Sequence, residues 1–259
     1  MGSGFRPLLA LVVASTVLTI SSTMFTPSHG LAAAQADWSP LGEEDGVRIY
    51  RRDLPGTSLY EFRGVGEVKA SMAKIISIIS EPSKMPRWLE GCIHGELVDR
   101  NYTVKDPKAP FSSQYSVFYA ITKSPWPLHN RDYVIKSHVV VTPATPSIPA
   151  GLTVDTQTID HPKYPPVKSM VRLPLMRSKL AMTPLGGGNE RTEVDFSVVL
   201  DPGGNIPDFV VNFISHDLPL KTLSALNDLV KDNDYNHELE RLIQHHYDIS
   251  TGAKPVPVQ

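Results

Sequence analysis

The chain has 259 residues, of which 41% are hydrophobic, 8% aromatic and 20% charged. This is the balance of an ordinary globular protein, and it excludes collagen-like, coiled-coil and wholly disordered chains. Its 25 Lys and Arg against 27 Asp and Glu leave a net charge of −2, without the basic excess that a phosphate backbone demands. Its one cysteine, Cys92, excludes an intramolecular disulfide and a cysteine-built zinc site.

Residues 8–20 are apolar or small, and Arg6 is the only charge before Asp37. The run is too short to span about 30 Å of hydrocarbon comfortably. A polar stretch and Ala34-Gln35-Ala36 follow, so 1–36 reads as a secretory signal peptide cut after Ala36, with an uncleaved anchor as the alternative. Export is the expectation: to the periplasm in a Gram-negative bacterium, otherwise into the medium. A polar lead-in ends at the Asp45-Gly46 turn. Val47 and Ile49, then Tyr60, Phe62 and Val65, mark two short strands around Leu54-Pro55-Gly56. Ser71 is placed to cap a helix carrying Met72, Ile75, Ile76 and Ile79, which Glu81-Pro82 stops. Residues 85–90, with Trp88, read as a short helix.

Strands are expected over 93–102, 114–122, 131–141, 152–159, 168–173, 180–183 and 192–200. Between them lie a charged turn at 105–110, a loop on Pro125-Trp126-Pro127, a proline-bearing stretch at 143–149 and a Gly186-Gly187-Gly188 hairpin turn. Alternation puts Ser116, Phe118 and Ala120 on one face of their strand, and Tyr133, Ile135, Ser137, Val139 and Val141 on one face of theirs. A tight turn at 201–205 leads to a long helical pattern from Pro207, with Val210, Phe213, Ile214, Leu220, Leu223, Leu226 and Val230 as its apolar stripe and a kink at Pro219. A second, charged helix runs over 236–247, and the tail from 250 is expected to be disordered. The order of elements gives an α+β fold.

Chemistry-bearing motifs are scarce. His237-Glu238-Leu239-Glu240-Arg241 approaches the zinc-protease pattern but has Arg241 where the second histidine must coordinate. There is no G-x-S-x-G elbow, P-loop or dinucleotide fingerprint. No catalytic residue, metal or cofactor is expected.

Trp38, Glu44-Asp45-Gly46-Val47, Tyr50-Arg51-Arg52, Phe62-Arg63-Gly64 and Val68-Lys69-Ala70-Ser71 occur in that order. So do Ser124-Pro125-Trp126-Pro127-Leu128-His129-Asn130-Arg131-Asp132-Tyr133-Val134, Asp201-Pro202-Gly203-Gly204-Asn205-Ile206-Pro207 and Asn212. This ordered set resembles the StAR-related lipid-transfer (START) domain family across 37–232, leaving 233–259 as a C-terminal helical extension and flexible tail. The resemblance implies a helix-grip fold, in which a curved antiparallel sheet wraps a long C-terminal helix around an internal hydrophobic cavity. It implies one lipid-like ligand, a sterol or another largely apolar lipid, shielded or transferred through an aqueous compartment. The helix and nearby loops would act as a gate.

On that reading the cavity-facing candidates are Phe118, Tyr133, Ile135, Ser137 and Phe196, with Phe209, Val210 and Phe213 from the helix. Trp126, Arg131 and Asp132 are expected to be structural, Trp126 as a packing anchor with a ligand- or membrane-touching role as its alternative. Several family members carry a buried Arg six residues after the signature Arg, paired with a carboxylate on the preceding strand. Here the positions read as Ser137 and Phe118, which implies a drier cavity suited to a hydroxyl-bearing ligand. The expected partners are the lipid and, transiently, a membrane surface, with no nucleic acid, and the protein is expected to be a monomer. A cyclase- or thioesterase-type enzyme and a ligand-dependent sensor are the alternatives.

Overall fold

A computed structural model describes residues 38–101, 115–147, 149–185 and 190–252. The chain divides between Gln35 and Ala36, and every element below lies in the second unit. The expected signal peptide, the 105–110 turn, the triple-glycine turn and residues 253–259 of the tail lie outside the described residues.

Ten strands form one sheet in the order β1-β2-β3-β10-β9-β7-β6-β5-β4, with β8 beside β6. Its edge is β1 (Ser39–Glu44), fully exposed, joined to β2 (Val47–Asp53) by Asp45 and Gly46 at φ 50° and 75°. Two positive φ values suit a two-residue hairpin whose twist matches its strands. The polar lead-in is thus a strand, unmarked by alternation because both of its faces meet solvent. Strand β3 (Tyr60–Val68) pairs with β10 (Thr192–Asp201), which pairs in turn with β9 (Leu175–Pro184). Strands β4 (Cys92–Arg100), β5 (Tyr115–Thr122), β6 (Arg131–Thr142) and β7 (Gly151–Thr158) complete the antiparallel run. The strand expected over 168–173 shrinks to β8 (Val171–Arg172), pairing parallel with the start of β6.

Helix α1 (Met72–Ile79) begins where Ser71 Oγ accepts the Lys74 N–H at 3.0 Å, and it buries Met72, Ile75, Ile76 and Ile78, with Ile79 half-buried. A single 3₁₀ turn leads into α2 (Met85–Trp88). The expected long C-terminal helix is two helices, α3 (Asp208–His216) and α4 (Leu218–Leu229), broken at Asp217. Pro219 sits in the first turn of α4, where its missing N–H costs no intrahelical bond, so the chain stops and restarts instead of kinking. Helix α4 lies close over β3. A Cβ on Gly64 would fall 2.8 Å from Pro219 Cβ, and one on Gly66 would fall 3.0 Å from Leu223 Cδ2, so bare backbone at both positions permits the contact.

Helix α5 (His237–Thr251) starts at Asn236, whose side chain accepts the Leu239 N–H at 2.9 Å. It extends past the point where the disordered tail was expected to begin. It turns back onto α1 and buries Leu239, Leu242 and Ile243. The Glu81 carboxylate accepts the Asn236 N–H, Lys84 donates to the Asp234 carbonyl, and the Tyr247 hydroxyl donates to the Ala150 carbonyl at 2.7 Å. Residues 233–252 therefore pack into the domain.

Two apolar clusters result. One joins α1, α4 and α5 to β2, β3, β7, β9 and β10. The other gathers Met85, Cys92, Phe118, Ala120, Tyr133, Ile135, Leu173 and Met176 under α2.

Candidate ligand cavity

A void of about 90 Å³ occupies the seam between these clusters. Its floor is the inner face of β5, β6, β7, β9 and β10, including Phe118, Ile135, Ser137 and Phe196. Its roof is Ile76 and Ile79 of α1, Met85 and Trp88 of α2, and Leu239, Leu242 and Ile243 of α5. A smaller void of about 40 Å³ shares Ile79, Trp88, Thr156, Ser178 and Phe196 and reaches toward Thr222 and Leu226 of α4. Among the described residues, none that lines either void is Asp, Glu, Lys, Arg or His. Pockets for drug-sized molecules run to about 300–1,000 Å³, so the observed void is a seam that a larger guest would have to widen.

The eight candidate lining positions fall into two groups. Phe118, Ile135, Ser137 and Phe196 face the void. Tyr133 does not: it is 2% exposed in the cluster under α2, and its hydroxyl shares a 3.1 Å hydrogen bond with Thr122. Burial pushes that hydroxyl's pKa far above the ordinary phenol range. Phe209 and Phe213 are 74% and 80% exposed, and Val210 is half-buried and borders neither void. Helix α3 buries Val211 and Ser215 instead. Asn212 fixes that facing, accepting the Tyr60 N–H at 3.1 Å and donating to the Ser58 carbonyl at 3.0 Å, while Ser58 donates to Asp208. The first half of the helix expected as the gate, α3, thus borders neither void, whereas its second half, α4, borders the smaller one and α5 the larger.

Arg131 and Asp132 are both buried and point to different partners. Arg131 donates to the carbonyls of His129, Pro202 and Gly203 and to Ser124 Oγ, clamping the 124–130 loop to the turn before α3. Asp132 receives Arg172 in a two-pronged contact at 2.8 and 3.2 Å, with the Tyr119 hydroxyl at 3.4 Å. The hydrogen bonds that Arg172 donates to Asp132 raise its guanidinium pKa further above the usual value. Trp126 is 93% exposed, so it packs against nothing; the packing anchor of its loop is Arg131. The lone thiol, Cys92, is buried with its pKa raised by desolvation, a poor setting for a nucleophile.

Opposite Ser137 stand Ser116 on β5 and Thr156 on β7, whereas Phe118 stands opposite Ile135. Ser137 and Thr156 share a 2.9 Å hydrogen bond where a charged pair was considered. Lining residues that the sequence did not put forward for the cavity include Trp88, Ser116, Thr156, Ser178 and the three α5 side chains. Alternation along β5, β7 and β9 carries a signal for the hydroxyls; nothing local places α5.

Among known proteins, an uncharacterised Pseudomonas aeruginosa protein is 29% identical over 194 residues, covering 75% of this chain and 87% of that protein. Rat phosphatidylcholine transfer protein is 25% identical over 210 residues, covering 77% and 85%. The crystal structure of a STAR-related lipid transfer protein from Xanthomonas axonopodis superposes with a TM-score of 0.59 at 25% identity, covering 75% of this chain and 99% of the other. The chain is similar in sequence and in fold to START proteins. No family model matches it. On this START scaffold the void lies between sheet and helices, and α5 supplies part of its wall.

Proposed function

We propose that this protein binds a lipid in the widened seam, shields it from water and transfers it between membranes. The observation that carries the reading is an interior void with no charged side chain among its described lining residues, on the scaffold shared with proteins named for lipid transfer. Removing several hundred Å² of apolar ligand surface from water at about 25 cal/mol/Å² supplies a gross gain on the order of 10 kcal/mol. Ordering of ligand and helices reduces the net. The reading is of a carrier: Tyr115, at the rim and bonded to Asp99, is the one titratable side chain among the described lining residues besides the alkyl, aryl, hydroxyl and thioether groups. General acid–base chemistry on a guest needs more than that.

Native mass spectrometry of the purified full chain is expected to show one lipid adduct, and vesicle assays to show transfer. Phe118→Glu places a carboxylate in the void, where its desolvation costs several kcal/mol, and is expected to abolish both in protein that remains folded. Wild-type occupancy in folded Phe118→Glu protein would remove the void from the reading.

Membrane contact is part of the proposal. Trp126 and Leu128 sit on the loop that Arg131 fastens to the turn leading into α3, whose Phe209 and Phe213 are also exposed. Indole and phenyl rings bared at one end of a domain suit a bilayer interface, where an apolar body and a polar edge are both satisfied. Trp126→Ala and Phe213→Ala are each expected to weaken vesicle binding severalfold in a flotation assay. Unfolding free energy should change by no more than about 0.5 kcal/mol, as for surface positions without partners. Undiminished flotation in the double variant would exclude this face.

A further inference from the structure

The floor of the void carries a feature that likeness to START proteins does not assign. Cross-strand register sets Ser116 opposite Ser137, Ser137 opposite Thr156, and Thr156 opposite Ser178. Four adjacent strands therefore each present one hydroxyl in a single row, and all four residues line the void. At about 4.8 Å per strand spacing the row crosses roughly 14 Å of floor. The rows on either side are mostly apolar, with Phe118, Ile135 and Met176 beside Thr158 along one and Val139, Val154 and Leu180 along the other.

The polar groups in this row are under-used. Ser137 and Thr156 share one hydrogen bond at 2.9 Å, which leaves spare capacity on both hydroxyls. Ser116 is 7% exposed, and neither it nor Ser178 has a side-chain hydrogen bond among the described residues. Trp88 lines the void from α2, and its indole Nε1 is buried and has no partner among the described residues. Trp88 lines both voids together with Thr156 and Ser178. An unmet buried donor is costly, and an acceptor on a guest removes that cost.

The geometry points to a polar seat, formed by the hydroxyl row and the Trp88 N–H, that holds the uncharged oxygen-bearing end of a lipid, a hydroxyl or a carbonyl. This deepens the lipid-carrier reading and rests on it. A hydroxyl or carbonyl oxygen accepts from the indole and exchanges hydrogen bonds with the row, while the hydrocarbon lies along the apolar rows. A phosphate would meet no cation among the described lining residues, and a quaternary ammonium no carboxylate, so burying either there is unfavourable. A site built around hydrogen bonds also rejects analogues that lack the bonding atom, because its own groups are then left unpaired.

The test uses the full chain and vesicles of dioleoylphosphatidylcholine carrying labelled cholesterol, labelled dioleoylglycerol or labelled squalene, with labelled phosphatidylcholine in a fourth preparation. Wild type is expected to take up cholesterol or dioleoylglycerol at least tenfold better than phosphatidylcholine; the two neutral probes separate a sterol from a glyceride source. The triple variant Ser137→Ala, Thr156→Val, Ser178→Ala is expected to lose about tenfold in uptake of the favoured probe, the scale of one or two net hydrogen bonds. Squalene, which has no oxygen, should be taken up as by wild type. Trp88→Phe keeps the ring, removes the donor, and is expected to shift the ratio of favoured probe to squalene in the same direction severalfold. Preference for phosphatidylcholine, or an unchanged ratio in both variants, would overturn the seat and leave the carrier standing. Uptake of none of the four probes would overturn both.

Discussion

Replacing Arg172 with Met is expected to lower the unfolding free energy by about 3–5 kcal/mol, the range for removing one partner of a buried pair. Asp132 is 1% exposed, and its strongest contact is the Arg172 guanidinium. Methionine fills much of the arginine volume but leaves a carboxylate buried against apolar neighbours, with only the 3.4 Å contact from Tyr119. The damage extends to backbone. Arg172 also donates to the Tyr164 carbonyl at 2.8 Å and belongs to β8, which pairs with the first residues of β6. The double variant Asp132→Asn, Arg172→Met should recover part of the loss, because the orphaned charge is gone while an acceptor for Tyr119 remains. Urea unfolding of the two variants beside wild type measures this. A loss under about 1 kcal/mol for the single variant, the range for exposed pairs, would show that water reaches Asp132 in solution.

The second large effect concerns α5. Leu242→Ala with Ile243→Ala is expected to cost about 4 kcal/mol, near the lower end of the range for two core truncations. The lower end applies because both side chains already border empty space and so give up fewer contacts than fully enclosed ones. Release of a bound lipid should accelerate at the same time, since the pair forms part of the roof. Denaturant midpoints and lipid off-rates report the two effects separately. A stability change within about 0.5 kcal/mol would mean that the helix does not sit on α1 in solution.

The floor of the cavity was largely legible in the sequence. Period-two alternation from Arg131 placed Ile135, Ser137 and Val139 on one face, and the structure turns that face inward. The Ser71 cap was legible because a hydroxyl three residues before an N–H has one evident use. Destination was not legible. Phe209 and Phe213 lie one turn apart on a helix whose opposite face holds Val211, so hydrophobic periodicity alone did not say which side the domain would cover. Leu239, Leu242 and Ile243 show helical spacing within a charged segment, but their return to α1 is decided by the 230–236 connection and its side-chain anchors. The hydroxyl row depends on three successive registers between residues 19 to 22 positions apart, which no local pattern encodes.

The central position of β10 has a consequence for the order in which the molecule is built. Strand β10 is the sole connection between the β1–β3 meander and the β4–β9 run in the described sheet. Until residues 192–201 have been made, β3 and β9 each end in an unpaired row of backbone donors and acceptors, and no native strand pairing joins the two halves. Helices α4 and α5, which cover the inner face, are made later still. Synthesis from the N-terminus therefore cannot finish this domain piece by piece. Closure of the sheet and covering of its apolar face both wait for the last quarter of the chain, a topology of long sequence separations that folds slowly and leaves sticky edges open while it does.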